Sequence, residues 1–193
     1  MNSLPISSVK LKINQDWNPV LDMVNTIIAK SKTIHSEVRP YGNATFYDLG
    51  NYGSVIHHHI SANWYMVHSK LLESKLTWLP KMLTDMAELK PTWLISVLNT
   101  DAAEHTDFDH YPTALNYPIN TTKAQTYVKF NGTELTYPSL ANEPWLLCTQ
   151  YPHGVRNTET RYVFNMHFGA NYDSVLHWFD YWPRLRQHLC RWR

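Results

Sequence analysis

Little in this sequence suits a secreted, membrane-spanning or nucleic-acid-bound protein. It holds two cysteines, Cys148 and Cys190, too few for a disulfide framework and without the spacing of a metal-binding pair. The N-terminal stretch MNSLPISSVKLKINQDW lacks the apolar core of a secretory signal. No run approaches the roughly 18 apolar residues of a membrane span. These absences lead us to expect a cytoplasmic, reducing setting, in which the sequons at Asn43, Asn120 and Asn131 stay unglycosylated. Charge is scarce too: 17% of residues are charged, against roughly 25% in ordinary soluble domains. A net charge of +1 offers nothing to a phosphate backbone or an anionic bilayer, so neither nucleic acid nor membrane is expected as a partner. No repeat, low-complexity tract or linker divides the 193 residues, and one domain over 1–193 is expected.

What the chain has instead is rings: 8 Trp, 12 Tyr, 6 Phe and 11 His. The first ninety residues read as mainly helical and loop support. Asn18-Pro19 opens a helix over 19–30, with Val20, Val24, Ile27 and Ile28 at helical spacing. Residues 39–56, rich in Gly, Asn and Tyr, read as irregular loop; Arg39, Tyr41, Asn43 and Tyr47 are its candidates for covering a site. A second helical region is expected over 64–76 and a third from Pro80 to Leu89. After Pro91 the texture changes to short β-branched and aromatic runs, at 92–99, 113–119, 124–130, 144–150 and 161–168, with turn signals such as Asn131-Gly132 between them. A helix from about 173 to 181 and a Trp/Arg-rich tail close the chain. Helices followed by strands predict an α+β fold, with helices bracing a sandwich or barrel over 91–170.

The chemistry concentrates at Glu104-His105-Thr106-Asp107-Phe108-Asp109, just after a predicted strand. A His and an Asp two positions apart can aim an imidazole and a carboxylate at one point. A second His from a distant strand would complete three ligands on one octahedral face. The three remaining positions would be free for a chelating co-substrate and dioxygen, as Fe(II) oxygenation requires. His153 follows the apolar strand 144–150, and Arg161 comes eight residues later at the start of another strand. On that strand Arg161, Val163, Asn165 and His167 share a polar face, while Tyr162, Phe164, Met166 and Phe168 share a large apolar one. A guanidinium pointing into a barrel needs an anion, and a dicarboxylate's far carboxylate could supply a bidentate one. Asp109 competes with Asp107, and His167 with His153, for the ligand positions. The tract His57-His58-His59 is a further metal candidate, although consecutive strand residues splay to both faces. Asn116, Tyr117 and Tyr127 sit on strands expected to flank the pocket, where they could bind a co-substrate or pack the core.

His105-x-Asp107, His153 and Arg161 together resemble the signature of the Fe(II)/2-oxoglutarate-dependent dioxygenases. The texture of LISVLNTDAAEHTDFDHYPTALNYPI and PWLLCTQYPHGVRNTETRYVFNMHF is similar to the branch holding aspartyl/asparaginyl and prolyl hydroxylases. The likeness covers residues 92–168. It implies a double-stranded β-helix (jelly-roll, cupin-like) core in which His105, Asp107 and His153 bind Fe(II). Arg161 would hold the far carboxylate of 2-oxoglutarate, with Asn116, Tyr117 and Tyr127 as neighbours of that co-substrate. It also implies a hydroxylase that consumes dioxygen, turns 2-oxoglutarate into succinate and acts on an amino acid, a protein side chain or another small molecule. Where aspartyl hydroxylases tend to carry Arg-x-His on the strand after the first ligand, this chain has Ala114-Leu115-Asn116. The carboxylate of Asp107 separates it from halogenating relatives, which carry a small residue there. A cupin-like isomerase or dioxygenase working without 2-oxoglutarate, and a metal-free β-sandwich interaction module, are the alternatives.

Overall fold

Side-chain alternation along the strand Arg161–Phe168 organises the molecule: Phe164, Met166 and Phe168 are buried in the main core, while Arg161, Asn165 and His167 face an internal cavity. The computed structural model describes residues 4–30, 33–39, 42–48, 53–58, 64–107 and 110–189. In chain order the described strands are β1 (Ile6–Ser8), β2 (Thr33–Arg39), β3 (Gly42–Asp48), β4 (Gly53–His58), β5 (Trp64–Ser69), β6 (Pro91–Leu98), β7 (Ala102–His105), β8 (Thr113–Pro118), β9 (Gln125–Phe130), β10 (Thr133–Pro138), β11 (Trp145–Cys148), β12 (His153–Arg156) and β13 (Arg161–Phe168). The helices are α1 (Asn18–Lys30), α2 (Lys70–Glu73), α3 (Leu79–Asp85) and α4 (Tyr172–Leu189).

The strands form two antiparallel sheets. The larger runs β1-β11-β8-β13-β6-β5-β4-β3-β2, and the smaller runs β10-β9-β12-β7. From β6 onward the chain passes back and forth between them, and only β9 and β10 are joined within one sheet. That hairpin closes through Asn131 (φ 50°) and Gly132 (φ 76°), with Phe130 paired to Thr133. Two successive positive φ values are what a tight two-residue turn needs to match the strands' twist, so the Asn-Gly signal means what it says.

The outer face of the large sheet carries the helices. Val20, Val24 and Ile27 of α1 join Val67, Ile95, Leu115 and Phe164 of the sheet in one apolar cluster, and Val175 and Phe179 of α4 extend it. Trp17 sits within 6.5 Å of Trp78, Tyr117 and Phe164, so much of the aromatic content fills this layer. The inner face of the same sheet alternates oppositely: Leu94, Ser96, Ala114, Asn116 and Leu147 line the cavity. No described helix is long and apolar enough to cross a membrane.

Two expectations for the N-terminal half need correction. The stretch 39–56 is not irregular loop, since it runs from the end of β2 through β3 into β4. Gly42, Asn43 and Gly53 lie within strands, and the successive pairing of β2 to β3, β3 to β4 and β4 to β5, the last supplied from elsewhere in the chain, makes the strands. Arg39, Asn43 and Tyr47 therefore fall on strands; Tyr41 lies outside the described residues. The expected helix over 64–76 is instead strand β5 followed by the single turn α2, whose first free N–H groups are capped by Ser69 Oγ accepting from Leu71 N at 3.2 Å. A short apolar run is ambiguous between periods. Pairing with β6 decides it, turning Trp64, Met66 and His68 to the cavity and Val67 to the core. Helices α1, α3 and α4 and the five expected strands after Pro91 are present; the four-residue β7 and β12 and the six-residue β10 are additional strands.

Candidate metal centre

His105 is the last residue of β7 and His153 the first of β12, and the antiparallel register sets them directly opposite each other. Their rings lie 4.4 Å apart between centroids. Asp107 follows two residues later, its backbone N–H donating to the Thr149 carbonyl at 3.0 Å. That bond turns the chain so that Asp107 Oδ1 lies 3.7 Å from His105 Nε2 and 3.9 Å from His153 Nε2. One ligand atom from each residue falls within 4.8 Å of the others. Among the described residues this is the cluster that could hold a metal ion; Asp109 lies outside them, and His167 stands on the opposite sheet, outside the cluster. The backbone of His57 and His58 belongs to β4, and His59 lies outside the described residues.

The donor set fits a divalent transition metal. His105 Nδ1 lies 2.7 Å from the Ala103 carbonyl oxygen, and His153 Nδ1 lies 2.9 Å from that of Tyr151. A carbonyl only accepts, so each Nδ1 carries the proton and each Nε2 keeps its lone pair toward the cluster. Such backbone partners orient ligand rings and raise their basicity. Burial, then the neighbouring His105, holds the His153 pKa down at about 4, against the opposing pull of Asp107. Its ring is therefore neutral and available at neutral pH. Burial lowers the pKa of His167 as well. Both shifts give stability that is present above the unfolded value of about 6.5 and lost as pH falls through it toward the folded value. The metal-free protein is thus expected to lose unfolding free energy between pH 6.5 and 4, and denaturant titrations across that range check it.

The cluster opens onto a cavity of about 590 Å³ between the two sheets. Arg161 is 5% exposed and lies in its wall. Its Nε donates to Ser139 Oγ at 3.0 Å, and an Nη contacts Thr126 Oγ1 at 3.5 Å. No carboxylate among the described residues pairs with it, and burial lowers its pKa to about 10. A guanidinium has five donors, and two of its contacts here are to hydroxyls, so the chemistry of the position suits a carboxylate.

The other expected neighbours divide by strand face. Asn116 does line the cavity, where its Oδ1 accepts from Asn165 Nδ2 at 2.6 Å. Tyr117, one residue on, points into the core instead: its hydroxyl accepts from Ile13 N and donates to Asn142 Oδ1. Tyr127 faces away as well, lying under the Arg156 guanidinium at 4.3 Å while Arg156 makes a bidentate pair with Glu134. Thr126 takes the inward place. Alternation allows only one of two consecutive strand residues to face the cavity, so Tyr117 and Tyr127 are each off by one position. Ser139 and Trp64 also escaped the sequence reading. Trp64 Nε1 donates to Ser96 Oγ at 2.6 Å and its ring lies 5.7 Å from that of His105, but it sits in the segment expected to be helical.

Gly154 couples this site to the sheet. A Cβ there would lie 2.6 Å from Tyr127 Oη and 2.8 Å from the Ala102 carbonyl oxygen. The carbonyl belongs to β7 and cannot swing aside, so the β7–β12 pair that sets His105 against His153 would have to part. Gly154→Ala is expected to cost about 1–3 kcal/mol and to weaken metal binding, measurable as a lower Tm together with a lower Mn(II) affinity.

No protein-family model matches the sequence, and no curated protein matches it. Among solved structures the fold is similar to a prolyl-4-hydroxylase from Pseudomonas putida, with TM-score 0.51 and 11% identity over 85% of this chain and 91% of that one. It is also similar to a Trichoplax adhaerens prolyl hydroxylase solved with a hypoxia inducible factor oxygen degradation domain peptide, with TM-score 0.56 and 7% identity over 85% and 83%. The chain therefore has a prolyl-hydroxylase fold, and the likeness seen in the motif is borne out at that level.

Proposed function

We propose that the protein is a non-haem Fe(II)- and 2-oxoglutarate-dependent oxygenase that hydroxylates an amino acid or a protein side chain. The observation that carries this reading is one cavity holding both the His105–Asp107–His153 cluster and an Arg161 that pairs with no carboxylate among the described residues. The order of β6 to β13 supports a double-stranded β-helix: eight strands that cross between two sheets around a lined interior, with only the β9–β10 hairpin within one sheet. When bound, the iron and 2-oxoglutarate supply the oxidising chemistry, with the co-substrate decarboxylated to succinate.

The chain's own residues bind, orient and exclude water. His105, Asp107 and His153 would hold the metal from one side, leaving the cavity side to the co-substrate and dioxygen. Arg161, its Nε fixed by Ser139, presents its remaining donors to the co-substrate's far carboxylate. Asn165 ties up Asn116 Oδ1 and so leaves the Asn116 amide hydrogens for the co-substrate. Trp64 and Trp145 in the wall limit entry of water.

Anaerobic addition of Fe(II) and 2-oxoglutarate to the purified protein is expected to give the weak visible charge-transfer band of the chelate. A folded protein that binds Fe(II) but shows no band would overturn the 2-oxoglutarate reading, and one that binds no metal would overturn the whole assignment.

A further inference from the structure

Among the described strands the small sheet ends at β7, while the large sheet continues past β6 into β5. His105 is therefore the last residue of a four-residue edge strand, where the backbone has least support against local opening. The Ala103 carbonyl that holds its Nδ1 lies on the same strand and moves with it. Two rings from other strands contact the His105 imidazole: His153 of β12, and Trp64 of β5 at 5.7 Å between centroids with 53° between the planes.

Trp64 is itself fixed by the large sheet. Its Nε1 donates to Ser96 Oγ at 2.6 Å, and Ser96 is buried on β6, a strand paired on both sides, to β5 and to β13. Trp64 pairs with Leu98 across β5 and β6, and Leu98 pairs with Arg161 across β6 and β13, so the three share one row of the cavity wall. The indole is thus anchored on the strands beside Arg161 and meets a ligand of the opposite sheet. The contact also responds to metal. An ion on Nε2 draws charge out of the imidazole, and 5.7 Å is inside the roughly 6 Å over which an aromatic ring attracts a cation. A contact that is stronger in the metal-bound state raises metal affinity by the difference.

We infer that Trp64 is a positioning residue for the metal centre: anchored by Ser96, it fixes the His105 ring from the large sheet. The inference rests on the oxygenase reading and deepens it, because β5 lies outside the eight strands β6 to β13 and yet completes the support of the site that β7 and β12 carry.

Two measurements test this, isothermal titration with Mn(II) and long-range 1H–15N correlation spectra of the metal-free protein, which report the His105 tautomer. Trp64→Leu is expected to bind Mn(II) about tenfold more weakly, the low end of what losing a partner of a metal ligand costs. Its His105 should change from one tautomer, protonated at Nδ1, to a mixture. Trp64→Phe keeps a ring and should recover part of the affinity. Ser96→Ala frees the indole and should weaken binding in the same direction; if Trp64→Leu does not fold, Ser96→Ala carries the test. Trp78, which packs on Trp17 and Phe164 outside the cavity wall, is the control: Trp78→Phe should lower Tm and leave both readouts unchanged. Unchanged affinity or an unchanged His105 tautomer in Trp64→Leu would each overturn the inference, as would a loss no larger than that in Trp78→Phe. Failure of the wild type to bind Mn(II) would strike the oxygenase reading instead, leaving the metal-free spectra to judge whether Trp64 fixes His105.

Discussion

Replacing Asp107 with alanine is expected to lower Fe(II) or Mn(II) affinity by more than 100-fold while leaving the fold unchanged. The lower bound comes from second-layer partners of metal ligands, whose loss alone costs roughly 10–100-fold. Asp107 contributes the only negative charge of the cluster and the oxygen nearest both Nε2 atoms. Its structural role belongs to the backbone, because the bond from Asp107 N to Thr149 O survives the substitution. Its side chain is 27% exposed, so the substitution leaves no large buried void. Isothermal titration with Mn(II), alongside thermal unfolding of the metal-free protein, separates the two effects. Retained metal affinity would show that the cluster is not a metal site. The corresponding His153→Ala variant is less clean, since it also empties a buried position.

Replacing Arg161 with methionine should have the opposite signature. Metal binding is expected to persist and 2-oxoglutarate binding to fall by at least about 100-fold, since hydrogen bonds to a charged partner are worth roughly 1.5–3 kcal/mol each and a bidentate pair makes two. Stability should move the other way. Burial holds the folded Arg161 pKa at about 10, below its ordinary value. For a cation this means that burying the charged form costs stability at every pH below the folded pKa, on the order of 3 kcal/mol. Methionine fills similar space without that penalty, so the metal-free variant should be at least as stable as the wild type. In the wild type, 2-oxoglutarate with Mn(II) should raise Tm by pairing a carboxylate with the buried guanidinium; in Arg161→Met it should not. A variant that unfolds more easily and still binds 2-oxoglutarate would place the guanidinium's role in the fold rather than at the co-substrate.

The parts of the site that were legible were those whose signal is local. His105-x-Asp107 is a two-residue spacing, and the inward face of β13 follows from alternation within eight residues. Alternation also explains the misses. On β8 and β9 it sends Asn116 and Thr126 to the cavity and their neighbours Tyr117 and Tyr127 away from it. Ser139 could not have been found in this way. It follows β10 with no motif around it and reaches Arg161 only because its N–H donates to the Ala124 carbonyl across the chain.

In the N-terminal half the failure has a different cause. Glycine and asparagine between residues 39 and 56 are depleted in strands and outweigh the tyrosines among them, and β5 reads locally as readily helical as extended. Strand character there comes from neighbours: β4 and β6 flank β5 and satisfy its backbone on both edges.

By itself the sequence determined the residue types capable of metal binding, the buried arginine eight positions past the second histidine, and the strand texture that carries them. Only the tertiary structure decided that His105 and His153 stand opposite each other, that Asp107 turns in beneath them, and that Arg161 shares one cavity with them. Side-chain direction is a matter of local backbone geometry, whereas the pairing of β7 with β12, some fifty residues apart, is set by long-range backbone hydrogen bonds that no local pattern encodes.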